Sequence, residues 1–459
     1  MLKSSLKFLL QGIGTPGIDI DITDVITDSR RVVQGCLFVA TKGERTDTHD
    51  LLPQIFEDGA VFAVVEHLVD GIPQEKQLVV KNTLEALISI GANYRNCYSP
   101  LMAGITGSMG KTTTKEFAFA AISQFGKTLK NEGNKNTEYG MTETLLKLDE
   151  SYEYAIIEMG MSAPGDISLL AKAARPSIAL ITNIAHVHIR ALGTLENILK
   201  AKFEIFDGLD KGSTIVLNKD DELLKTALIR EDLQVVWYAL DDKTADVTAT
   251  LLETKGYGQV FKIEDKQFGT FEAYIPTLGT HTMQDALGAY TLVSRMGFPA
   301  EEVTKGLADY TPAGQRQKIV NHNGITVIED CYNANVKSMC AGIGTLAQVP
   351  CAGKRIAVLG DMLELGEFAE SMHEEVGRIV AEYSINLLYT FGEEAANIHK
   401  ATKKSSEAKC GHSVECYHFT SKKELAEALK EIAKPEDAIL FKASRGMEFE
   451  EIIAWFYEE

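Results

Sequence analysis

The segment Gly104-Ile-Thr-Gly107-Ser-Met-Gly110-Lys111-Thr112-Thr113-Thr114 constrains this chain more than any other. An apolar run, LMAGIT (101–106), enters it, and the helix formers of 115–121 follow, which is the strand–loop–helix context of a phosphate-binding loop. Glycines let backbone N–H groups approach phosphate oxygens, and a helix N-terminus adds unpaired donors and positive dipole. Residues Gly107, Ser108, Met109, Gly110, Lys111, Thr112 and Thr113 are therefore the candidate nucleotide contacts, with Lys111 reaching the β- and γ-phosphates and the Thr112 hydroxyl ligating Mg²⁺. The spacing departs from G-x4-G-K, because the glycines fall at 104 and 107 and position 105 is isoleucine. A strand–turn–helix junction whose glycines merely fit the turn is the plainer reading, and the Lys-Thr pair directly after Gly110 argues against it. The loop alone leaves kinase, motor, GTPase and ligase open.

Around the loop, near-continuous apolar strands alternate with helix-length spacers: YAIIEMG (154–160), IALITNI (178–184) and STIVLN (213–218). This pattern predicts a mainly parallel sheet covered on both faces, with an antiparallel patch or edge over 246–275. Short β-rich runs, CLFVA (36–40) and AVFAVVE (60–66), precede it. After it, ITVIED (325–330), KRIAVLGD (354–361), INLLYTFG (385–392) and DAILFKAS (437–444) predict a second, smaller doubly wound sheet. The expectation is an α/β protein of three domains, at 1–99, 100–315 and 316–459, which suits 459 residues.

A net charge of −19 disfavours nucleic acid and anionic membranes as partners. No apolar run reaches the ~20 residues that cross a bilayer, and the start MLKSSLKFLLQGIG lacks a cleavage site. Seven cysteines without a C-x-x-C pair read as reduced thiols, so the expectation is a soluble cytoplasmic protein.

In an open parallel sheet the ligand lies beyond the carboxyl ends of the strands. Glu158 closes one strand and Asn183 another, which brings Glu158 and the segment holding His186 and His188 towards the loop. On residue type alone either histidine reads as an ordinary loop residue, and Lys202 as a solvated lysine on an amphipathic helix.

The loop, Gly133-Asn134-Lys-Asn136-Thr137-Glu138-Tyr-Gly140, Glu158-Met-Gly160, Thr182-Asn183 through His188, Ala201-Lys202 and Asn218-Lys-Asp220-Asp221 together resemble the Mur ligases. These are ATP-dependent amide-forming enzymes of bacterial cell-wall synthesis, and the resemblance covers essentially the whole chain. Asp330-Cys-Tyr332-Asn333-Ala334-Asn335, Val358 through Gly366 and Lys442-Ala-Ser444-Arg445-Gly446-Met447 resemble the member that accepts a dipeptide amine. Thr27-Asp28-Ser29-Arg30 and Gly35 through Ala40 are similar to the family's UDP-sugar-binding domain. The resemblance implies ATP and Mg²⁺ as cofactors, UDP-N-acetylmuramoyl-tripeptide and D-alanyl-D-alanine as substrates, and a monomer. It assigns Lys111, Glu158, His188 and Lys202 to catalysis. Thr112 and Glu158 would hold one Mg²⁺ and His188 a second, with Lys202 carbamylated as an oxygen ligand. Arg316 and Asp330 would close over the nucleotide. Ser29, Arg30, Asn134, Asn136, Thr137, Asn333, Asn335, Ser444 and Arg445 would border the substrates. A ligase with another amine substrate, or a non-catalytic nucleotide-binding paralogue, is the alternative.

Departures from the family pattern are local. Gly279-Thr-His281-Thr282-Met-Gln-Asp285-Ala286 carries Thr282 and Asp285 where the family has asparagines that meet adenine, and Val336-Lys337 replaces the usual proline and its small or acidic follower.

Overall fold

The computed structural model describes residues 1–43, 46–185, 192–407 and 414–458. Three sheets, each with its own helices, account for most of these residues, beside a short antiparallel pair formed by Ser4–Ser5 and Asp21–Ile22.

Among the described residues the N-terminal sheet is parallel and four-stranded, in the order Val25–Ile26, Leu37–Val39, Phe62–Val65 and Gln77–Val79. Helix Thr83–Arg95 leaves it, capped by the Asn82 side chain, and lays Leu87, Ile90 and Tyr94 against the middle of the molecule. There Tyr94 donates its hydroxyl to the Leu148 carbonyl at 2.9 Å.

The central sheet has nine strands among the described residues. From one edge they run Thr128–Lys130, Tyr154–Glu158, Leu101–Thr106, Ile178–Ile181, Thr214–Asn218, Gln234–Ala239, Val247–Lys255, Gly258–Asp265 and Gly269–Ile275. The first seven are parallel, and the seventh, Val247–Lys255, also joins the remaining two in the antiparallel edge that the alternating run over 246–275 predicts. Strand order reverses on either side of Leu101–Thr106: the chain reaches its neighbour Tyr154–Glu158 and then crosses to Ile178–Ile181 on the other flank. A doubly wound sheet opens a crevice at such a reversal, so the phosphate loop sits where a ligand enters. Phe117, Ala118, Ala121 and Ile122 of helix Lys111–Ser123 bury against one face together with helix Thr280–Arg295, and helices Glu138–Leu145 and Asp166–Ala174 cover the other.

Among the described residues the C-terminal sheet is six-stranded, ordered Lys318–His322, Ile325–Glu329, Ala438–Lys442, Arg355–Gly360, Leu387–Phe391 and Glu415–Phe419. Only its first pair is antiparallel. Leu278, at the foot of helix Thr280–Arg295, inserts into the core of this lobe beside Ile328 and Met339. The hydroxyls of Tyr257, at the antiparallel edge of the central sheet, and Thr326 meet at 2.8 Å, which ties the lobe to that sheet. The carboxyl ends of both sheets border one cleft of about 960 Å³.

Candidate functional site

Backbone geometry shapes the loop. Gly107 has φ +145° and Gly110 φ +76°, and added Cβ atoms would run into the Thr182 side chain and the Asp285 carboxyl group respectively. Only glycine fits both the torsions and the space. The neighbouring strand end grips the loop: Ser108 N donates to Asn183 O at 2.9 Å, and Met109 N to Asn183 Oδ1 at 3.0 Å. Asn183 is held in line because Asn218 Nδ2 donates to Thr182 O at 3.0 Å and Asp221 Oδ2 accepts Ile184 N at 2.8 Å.

Lys111 Nζ donates to the carbonyls of Gly107 and Ser108 at 2.9 and 3.1 Å. Burial lowers its pKa; Glu158 opposes this and Arg316 adds to it. Thr112 Oγ1 donates to Glu158 Oε2 at 2.9 Å, and Asn136 Nδ2 to Oε1 at 2.7 Å. A buried carboxylate oxygen thus shares the cleft wall with a hydroxyl. Two adjacent hard oxygens, with room left for water and phosphate, suit Mg²⁺, which commonly takes one or two protein oxygens beside a triphosphate. Donor chemistry at Thr112 and Glu158 therefore fits the ion.

Lys202, at the end of helix Leu195–Phe203, is 2% exposed and lines the same cleft, so it is no solvated lysine. Burial holds its ammonium well below the usual lysine range, Lys111 adds to that, and Glu204 and Glu158 oppose. Among the described residues no hydrogen bond or ion pair engages its Nζ. His186 and His188 lie outside the described residues.

Across the cleft, Asp330 follows the strand Ile325–Glu329, and Lys442 ends the adjacent Ala438–Lys442. Lys442 Nζ donates to Asp330 Oδ2 at 2.7 Å and to Asn333 O at 3.2 Å. The Arg316 guanidinium lies 3.8 Å from the centroid of the Tyr332 ring, and Arg445 lies 6.0 Å away on the same ring while paired to Glu450. Several predicted contacts carry internal duties. Asn335 caps helix Val336–Gln348 by accepting Ser338 N at 2.9 Å, Asn333 Oδ1 accepts Ala334 N at 2.9 Å, and Ser444 Oγ accepts Leu363 N at 2.9 Å. Thr282 Oγ1 donates to the carbonyls of Leu278 and Gly279, so it is folded into its own helix. His281 stands in the wall, its pKa lowered to about 4 chiefly by burial, against the raising influence of Asp330 and a hydrogen bond with Gln317.

The cleft unites Gly110, Lys111, Thr112, Thr113, Asn134, Asn136, Thr137, Glu158, Lys202, Arg316, Asp330, Asn333, Asn335, Ser444 and Arg445 with Ser108 and Met109. Ser29 and Arg30 are not among its lining residues. They form a 3-10 turn in the N-terminal lobe, where Asp28 binds Arg30 through its backbone and guanidinium. Sequence reasoning passed over Lys115, Asn131 and Lys442. A buried lysine has no local signature, and only for Lys442 did the surrounding Ala-Ser-Arg motif offer a hint.

Fold and cleft together define a phosphate-loop enzyme that uses a nucleoside triphosphate between two facing sheets. The sequence matches the Mur ligase middle domain over residues 105–293 and the Mur ligase, glutamate ligase domain over 315–445. The UDP-N-acetylmuramoyl-tripeptide–D-alanyl-D-alanine ligase of Bacillus subtilis is 35% identical over 439 residues, covering 94% of this chain and 92% of its own. A crystal structure of MurF from Acinetobacter baumannii superposes with a TM-score of 0.88 at 29% identity, covering 100% of this chain and 99% of that one. MurF from Thermotoga maritima, solved in complex with ADP, gives 0.83 at 25% identity, covering 95% and 97%. The chain belongs to the Mur ligase family.

Proposed function

We propose that the protein joins D-alanyl-D-alanine to UDP-N-acetylmuramoyl-tripeptide, using ATP and Mg²⁺, as a cytoplasmic monomer whose three domains meet near residues 99 and 315. The observation that carries this is the convergence of Lys111, Thr112, Glu158 and Lys202 in one cleft opposite Arg316, Asp330 and the Asn333–Asn335 turn. The names of the similar proteins supply the substrates.

A carboxylate is a poor electrophile. Its oxygen attacks the γ-phosphorus, the bond to the ADP oxygen breaks, and an acyl phosphate forms. The dipeptide's neutral amine then attacks the acyl carbon, phosphate leaves, and the amine sheds one proton to solvent. No protein nucleophile is needed, so the enzyme's work is positioning and charge stabilisation. The loop amides and Lys111 cradle the phosphates. Thr112 and Glu158 would hold Mg²⁺, which screens the triphosphate from the approaching carboxylate. Asn134, Asn136 and Thr137 border the path of the tripeptide acid, and His188 would hold a second Mg²⁺. Lys202 suits carbamylation: burial favours its free amine, which attacks carbon dioxide and releases a proton. Arg316 and Asp330 face the nucleotide, while Asn333, Asn335, Ser444 and Arg445 surround the amine side. Ser29 and Arg30 belong to the lobe that would bind the UDP end. Closure of the sheets shields the acyl phosphate from water.

A phosphate-release assay with ATP, UDP-N-acetylmuramoyl-tripeptide and a panel of dipeptides tests the reading. Release with D-alanyl-D-alanine is expected. Release only with another amine, or none with any, overturns it.

A further inference from the structure

Lys115 does not line the cleft, yet it is among the largest fully buried side chains of the protein. It lies three residues after Thr112 and four after Lys111, so it occupies the same face of the helix one turn further in. Its Nζ donates to Asn131 O at 2.7 Å and stands 3.1 Å from Glu116 Oε1 and 3.7 Å from Glu158 Oε2. Asn131 is buried too, and it clamps the backbone of Glu158 from both directions. Its Nδ2 donates to Glu158 O at 2.8 Å, and its Oδ1 accepts Glu158 N at 2.9 Å.

Burying an ammonium is costly unless its partners are well placed. Here the partners are the neighbouring Glu116, the cleft-wall acid Glu158 and Asn131, which fixes the backbone of Glu158. At 3.7 Å the contact with Oε2 is electrostatic rather than a hydrogen bond, so it leaves that oxygen's remaining lone pair open towards the cleft. Asn136 on Oε1 and Thr112 on Oε2 set the plane of the group. Lys115 supplies positive charge from the side away from the cleft.

We propose that Lys115 and Asn131 are positioning residues that hold the Glu158 carboxylate aimed at the divalent cation of the triphosphate. The proposal rests on the reading of Glu158 as a metal ligand. Partners that orient a metal-binding group typically change metal affinity 10–100-fold when removed.

The test is Mn²⁺ binding in the presence of ADP, measured by titration calorimetry, alongside the Mg²⁺ dependence of turnover. Lys115→Met removes the lysine's charge from Glu158 while Glu116 keeps Lys130 as its partner, so K115M is the variant to use, with its melting temperature recorded. It is expected to bind Mn²⁺ about tenfold more weakly and to need correspondingly more Mg²⁺, while KM for the UDP-linked substrate stays as in the wild type. Asn131→Ala reads the same brace from its other end without stranding a charge, and is expected to weaken Mn²⁺ by about fivefold or more. Mn²⁺ affinities within twofold of wild type in the variants that fold overturn the proposal. Wild-type turnover that needs no divalent ion would instead remove the reading of Glu158 beneath it.

Discussion

Asp330→Asn separates the electrostatics of the C-terminal wall from its packing, because the substitution keeps the shape and removes the charge. Lys442 is 2% exposed and Asp330 14%, with 2.7 Å between Nζ and Oδ2. Breaking a buried pair by removing one partner costs about 3–5 kcal/mol, most of it from the charge left behind. Lys442 keeps two carbonyl acceptors, Asn333 O at 3.2 Å and Asp330 O at 3.4 Å, which places the loss near the lower end, about 3 kcal/mol. For a lobe of this size that is a fall of about 10 °C in its melting temperature. Lys442→Met should cost less, since the stranded Asp330 lies nearer the cleft surface and can take water. Differential scanning calorimetry of both variants reads the asymmetry. An Asp330→Asn transition within about 2 °C of wild type, or a larger fall in Lys442→Met, would refute the assignment of the pair as the buried anchor of this wall.

Lys111→Ala is expected to abolish phosphate release, and a near-normal rate would remove the loop's assigned role. Lys202→Ala should be almost inactive and partly recovered by added short-chain carboxylic acids, which replace a carbamate's oxygens; full activity without them would rule the carbamate out. His281 carries a folded pKa of about 4 against 6.5 in the unfolded chain, because burial disfavours its charged form. Its contribution to stability is therefore complete above pH 6.5 and is lost as pH falls towards 4. Urea-unfolding midpoints measured across that window should fall less steeply in His281→Gln than in the wild type.

Long apolar strands were the legible part of this fold. Leu101–Thr106 matches its apolar run residue for residue, and the strands at 154, 178, 214, 325, 355, 387 and 438 begin within two residues of theirs. Their hydrophobicity reflects burial on both faces, which leaves a continuous signal. Thr128–Lys130 and the edge strand Lys318–His322 were illegible, the one being too short for a pattern and the other too mixed in polarity. The loop announced itself because glycines and a lysine are required at fixed local spacing. Glu158 was legible through its place at a strand end. Lys115 was not, because its burial depends on Asn131 and Glu158, which only the sheet brings together. Lys202 shows the same limit, since residue type alone reads it as solvated whereas the fold buries it.

Labelling the tripeptide carboxylate with oxygen-18 tests the central claim most directly. If that carboxylate attacks the γ-phosphorus, one of its oxygens leaves with the phosphate, so mass spectrometry should find one labelled oxygen in each inorganic phosphate released with D-alanyl-D-alanine. Unlabelled phosphate accompanying amide product would contradict an acyl phosphate formed in the Lys111–Glu158 cleft.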